Sequence, residues 1–262
     1  MESRNPVFSK RGPVGQRAWG VPTPSPQQLN EMYNAPSYAP PSMAARPMTI
    51  DDVVVRGFIT LGTLVAAAAV AWVLNFPMPV AFLGVIVGLI LALVISFKQS
   101  TNPVLILGYA ASYGVAVGVI SHLFQAFYGV VFQAVVGTAL AFGAMLTVYS
   151  LRIVRVTPKF TRFVVGAGLA LMGLMLVNLL VGLFVDGGIG IRENGLLGIV
   201  FSVAAILVGC FFLLLDFNEV EEGVRAGVPE KYSWLMAFGL PVTLVWIYLE
   251  ILRLLSYFSG EE

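Results

Sequence analysis

The sequence predicts an all-α membrane protein, a bundle of seven transmembrane helices, and three observations carry that prediction. Of 262 residues, 58% are hydrophobic and 11% charged, where an ordinary soluble domain carries about 25% charged residues. Seven apolar runs are each long enough to cross ~30 Å of hydrocarbon, which takes about 20 residues of helix. None alternates as a barrel strand does, and a chain in lipid satisfies its backbone groups only within helices or around a closed barrel.

Residues 1–52 stand apart from these runs. They hold nine of the fifteen prolines, among Ser, Gln and Asn, as in "GVPTPSPQQLNEMYNAPSYAPPSM". Such a composition buries too little apolar surface to offset the entropy of ordering, so a disordered cytoplasmic tail is expected over 1–52. The first long apolar run begins only after Asp52, so no cleavable secretory signal is read. The transmembrane domain is expected over 53–258, with 259–262 as a short C-terminal tail.

The segments are read at 53–76, 79–97, 104–124, 129–151, 163–185, 196–215 and 234–258. Between the first two, "NFPMP" leaves only a tight connection. Small residues four apart, Gly84 with Gly88 and Gly114 with Gly118, and the run "GAGLALMG" in the fifth segment, let helix backbones approach where no hydrophobic effect drives helices together. They favour a compact bundle, with packing rather than pore lining as the simpler reading.

Loop charges set the expected orientation. With the N-terminus in the cytoplasm, that side collects five Lys/Arg of the tail, then Lys98, Arg152, Arg155, Lys159, Arg162, Arg225 and Lys231, while the opposite loops offer only Arg192. Twelve against one follows the positive-inside rule and fits an odd number of spans, which puts the closing "SGEE" outside.

Several chemistries are excluded at once. One cysteine, Cys210, and one histidine, His122, rule out an intramolecular disulfide framework and a Cys/His metal cluster. The scattered Lys and Arg make no basic stripe for nucleic acid. Ser112 and His122 share a segment but lie about 15 Å apart along a helix, beyond any hydrogen bond, and no H-E-x-x-H or paired-aspartate motif appears, so no enzyme and no cofactor is expected.

The polar residues that remain are few. Asp216 ends the twenty-residue apolar run that begins at Leu196 and is followed by Glu219, Glu221 and Glu222. At a cytoplasmic helix end these carboxylates oppose the macrodipole by a few tenths to about 1 kcal/mol per exposed group. For the glutamates, hydration at the membrane surface is the simpler reading. For Asp216, nearest the apolar run, an ion or proton pathway is the sharper one. Glu250, about 24 Å along the last helix from Trp234, lies near the outer surface with Arg253 three residues on, an interfacial pair or a transport group. His122 also sits near the outside, as an interfacial hydrogen-bonding group or a pH sensor.

In their order, "GYAASYGVAVG" in the third segment, "VVGTALAFGAMLTVYS" in the fourth, "LLLDFNEVEEGVRAGVPEKYSW" bridging the sixth and seventh, and the closing "YLEILRLLS" resemble the Bax inhibitor-1 family, the transmembrane Bax-inhibitor-motif proteins. The resemblance covers roughly residues 50–258 and points to a bacterial branch. It implies a central last helix surrounded by six others and a pH-sensitive calcium leak. It also implies a sensor of two aspartates, on the sixth and seventh helices, that shares a proton and engages a basic residue. Asp216 falls on the first position. The second falls near Val242 or Thr243, where no carboxylate stands, so Lys98 or Arg56, both at cytoplasmic helix ends, become the candidate partners of a lone Asp216. The expected function is a calcium or proton leak in a bacterial inner membrane, with Asp216 as a transient calcium ligand. The competing reading is a non-transporting scaffold that regulates a membrane protease or a stress response. Beyond the ion, the lipid bilayer and that candidate protease, no partner is implied.

Overall fold

The computed structural model describes residues 25–27, 30 and 46–259. The chain divides into two compact units, 1–44 and 45–262, and the second carries seven long helices. These are α1 (Ile50–Val73), α2 (Met78–Lys98), α3 (Pro103–Tyr128), α4 (Val131–Ser150), α5 (Pro158–Gly182), α6 (Leu196–Arg225) and α7 (Ser233–Ser259). All seven are long and apolar enough to span a membrane. The expectation of a disordered tail falls mostly on residues outside those described.

Helix starts at the tail-bearing end follow from local chemistry. Thr49 caps α1 through a capping box with Asp52, Asn102 caps α3 and Thr157 caps α5. Each side-chain oxygen takes an otherwise orphaned backbone N–H. Pro103 and Pro158 open their helices, at the position where a missing N–H costs nothing. The tight connection after α1 turns through Asn75 at φ 51°, and α2 ends on Gln99 at φ 48°.

The boundary at residue 52 needs correction. Arg46 to Thr49 belong to the fold: the Met48 amide donates to the Val228 carbonyl at 2.8 Å and the Glu230 amide to the Arg46 carbonyl at 2.8 Å. Met48 is buried with Val53 and Ala237. The sequence is polar and proline-rich up to this point, and the one apolar side chain that anchors the segment carries no periodicity to reveal it.

The sixth span also differs from its expected end at 215. α6 continues to Arg225 because nothing before Gly227, at φ 66°, or Pro229 interrupts it. Asp216, Glu219 and Glu222 therefore lie inside the helix, and its last turn carries Arg225, the sign of charge a helix C-terminus favours. The conflict with the macrodipole is thereby eased for Asp216 and Glu219, which lie more than a turn from the end, while Glu222 shares the last turn with Arg225.

α7 packs on α6, α1, α4 and α3; α2 lies mainly on α3, and α5 on α6. α3 and α7 are the most deeply buried spans, with half of each apolar window inside the protein. Most of α4 and α5 presents Leu, Val and Phe outward, as lipid contact requires. α7 continues through Pro241, which removes the bond to the Ala237 carbonyl at a cost of about 3 kcal/mol, two residues before Thr243.

Candidate functional site

Two helices that the sequence joins by a short polar loop place the first site. α6 brings Asp216 and α7 brings Thr243, and the threonine hydroxyl donates to Asp216 Oδ2 at 2.7 Å. A hydrogen bond to an ionised acceptor is worth more than a neutral one, so this contact ties the α6–α7 seam while the aspartate is charged. The hydroxyl is 3.4 Å from the Gly239 carbonyl, a much weaker alternative. A Cβ at Gly239 would stand 3.6 Å from Asp216 Oδ1, an ordinary contact, so α7 passes close beside the carboxylate here.

Asp216 is half-buried and opens on a cleft of about 650 Å³ between the start of α5 and the end of α6. Glu219 and Glu222, both exposed, line the same cleft with Asn218, Thr157, Thr161 and Arg162. The arrangement is an open vestibule, acidic on the α6 side, with one titratable oxygen pair at its inner wall. Among the described residues no group of three or more His, Cys, Asp or Glu side chains is placed to hold a metal ion. A cation at Asp216 would meet one carboxylate and cleft water, which suits passage rather than tight holding.

Neither basic candidate reaches Asp216. Arg56 instead forms an ion pair with Glu230, donates to the Glu230 carbonyl and stacks over the Trp234 ring. Arg46 bonds the same Glu230 and also Asp52. Its guanidinium holds its proton even more firmly than an ordinary arginine, through the Glu230 hydrogen bond first and the Asp52 charge next. Lys98 is exposed and makes no ion pair among the described residues. The two arginines and two carboxylates thus form a clasp that holds the start of α1 to the loop before α7. Glu230 carries no periodic signal in the sequence, so its claim on Arg56 could not be read there.

The acidic run of α6 divides. Glu221 accepts a short hydrogen bond from the Tyr149 hydroxyl of α4 and pairs with Arg225 one turn on at 2.8 Å. It fastens α4 to α6 and is not simply hydrated. Glu219 and Glu222 stay exposed.

At the opposite end Glu250 does not pair with Arg253. Its Oε1 meets Arg192, from the loop between α5 and α6, at 3.0 Å, because the carboxylate turns inward towards α6. Arg253 is half-buried and its carbonyl accepts from Ser256. His122 sets its ring edge against Trp72, with 5.2 Å between centroids and planes at 86°, a packing contact between α3 and α1. Beside Glu250 lie Ser202 and Tyr257, which the sequence did not single out. Both sit in apolar stretches without a motif, and only the seam brings them together.

A family model described as Bax inhibitor 1 like matches residues 5–260. The match extends through most of the proline-rich stretch that the sequence resemblance had left out. No curated protein matches the chain.

Proposed function

The chain belongs to the Bax inhibitor 1 like family and is a multi-pass membrane protein, and from that premise we propose that it is a pH-sensitive calcium leak, gated at Asp216. The membrane is a bacterial inner membrane, with the tail-bearing end, and so the cleft, in the cytoplasm. The loop charges support this orientation. One observation carries the reading: a single carboxylate lies where an acidic vestibule meets the α6–α7 seam, hydrogen-bonded across that seam by Thr243.

While charged, Asp216 attracts a hard cation into the cleft and accepts the charge-assisted bond that closes the seam. Protonation removes the charge and reduces that bond to a weaker, neutral one. The gate in this form needs no second aspartate and no basic partner, which accords with the lack of a carboxylate at Val242 or Thr243 and with Arg56 being engaged elsewhere.

The test is calcium flux in liposomes as a function of pH on the cleft side. Asp216→Asn keeps the size of the side chain and removes its titration; its flux is altered and its pH profile flat. Asp51→Asn, an exposed carboxylate at the same end of the bundle, keeps the parental profile. A full pH response in Asp216→Asn places the gate elsewhere.

A further inference from the structure

The far end of the bundle holds a second polar cluster that the gate does not use. Glu250 is 3% exposed, Ser202 0% and Tyr257 7%. Glu250 Oε2, the Ser202 hydroxyl and the Tyr257 hydroxyl are each buried without a hydrogen-bond partner. Ser202 stands next to both the carboxylate and the phenol, yet the strict geometry of a direct bond is met on neither side. A buried carboxylate oxygen left unpaired is costly, and Ser202 brings it together with two hydroxyl oxygens as a set of hard oxygen ligands.

Arg192 meets this set. Its guanidinium bonds Glu250 Oε1 at 3.0 Å and lies over the Phe201 ring, and the residue also lines a cleft of about 290 Å³ formed by the end of α5 and the loop that follows. Glu193 lines the same cleft and folds over Gly187, where a Cβ would collide with its carboxylate. Arg192 therefore belongs both to an open cleft and to the buried carboxylate, with a second carboxylate one residue away.

We propose that Glu250, Ser202 and Tyr257 form a cation site whose resident occupant is the Arg192 guanidinium, exchangeable for a hard divalent cation that arrives through this cleft. Oxygen-only ligands select calcium-like ions over soft metals. A single carboxylate with two hydroxyls, opposed by a tethered positive charge, makes the site weak and exchangeable. It deepens the leak reading, on which its role as an outer station rests, but binding at the site is measurable without flux.

The experiment uses the full chain in nanodiscs of zwitterionic lipid, with terbium(III) as the calcium stand-in. Its luminescence is sensitised by nearby aromatic rings, here Tyr257 and Trp246, one turn before Glu250. Removing the competing cation in Arg192→Gln tightens calcium-displaceable terbium binding by about tenfold or more, which is about 1.4 kcal/mol of competition removed. Arg192→Gln with Glu250→Gln, which replaces both members of the buried pair and leaves no lone charge, loses that gain. Binding no tighter in Arg192→Gln, or the gain surviving in the double variant, overturns the proposal. Should Arg192→Gln alone fail to fold, Ser202→Ala and Tyr257→Phe each weaken binding to the parent, and unchanged binding in both overturns it. Calcium flux on the same variants separates the two ideas: a leaking parent with none of these binding changes removes the site and leaves the leak, whereas the binding changes without any leak do the reverse.

Discussion

At the scale of single residues, the behaviour of the bundle turns on which partner each charge finds. Asp216 was legible as a candidate because an ionisable group next to twenty apolar residues is costly and tends to mark a pathway. Its partner was legible only by position: the resemblance calls for a second aspartate near Val242 or Thr243, and the structure joins Thr243 to Asp216 by a hydrogen bond. The partners of Arg56 and Glu250 were not legible. Glu230 and Arg192 sit in loops, where no periodicity fixes a direction, and sequence spacing alone favoured Arg253 for Glu250. Thr243→Val removes the one donor to Asp216 Oδ2 among the described residues, so it lowers stability by about 1.5–3 kcal/mol, the usual loss for a bond to a charged group. Thermal melting in detergent measures this, with Thr243→Ser recovering most of it; a melting point equal to the parent's in Thr243→Val would mean the bond does not tie the seam.

At the scale of elements, the seven spans were readable because hydropathy alone sets them, while their ends were not. α6 runs ten residues past its apolar stretch, since Glu, Asn and Arg continue a helix once a neighbour supports it, and Tyr149 of α4 supplies that support. The glycine motifs also divide by their surroundings. A Cβ on Gly114 would stand 2.3 Å from the Leu64 carbonyl oxygen and one on Gly118 2.2 Å from that of Ala68, so α1 and α3 touch backbone to backbone. In "GAGLALMG" only Gly168 meets a neighbour, the Phe212 ring, whereas Gly166 and Gly173 meet nothing. Gly118→Ala forces α1 from α3 and costs more than about 2 kcal/mol, within the range for overpacked cores. Gly166→Ala faces open space and is neutral or gains up to about 1 kcal/mol from helix propensity. Equal melting points for the two variants would show that the α1–α3 contact is looser than described.

At the scale of the whole molecule, the domain boundary and the orientation join fold to function. The segment from Arg46 to Thr49 clasps the loop that links Asp216's helix to Thr243's, through backbone bonds, the buried Met48 and the Arg46, Arg56, Asp52 and Glu230 charges. A chain beginning at Ala45 keeps that clasp and one beginning at Asp51 loses it, together with the Thr49 cap. Burial of one large apolar side chain and a helix cap together amount to about 3 kcal/mol, so the shorter chain melts at a clearly lower temperature. Identical melting of the two would mean that residues 46–49 contribute nothing to the bundle.

The leak itself is tested most directly by purified protein in liposomes loaded with a calcium-sensitive dye, with pH stepped on the side that bears the tail. A leak gated at Asp216 gives calcium entry above that of protein-free liposomes, changing with that pH and losing its pH dependence in Asp216→Asn. A chain that is folded, correctly inserted and passes no calcium at any pH contradicts it, and the scaffold reading then takes its place.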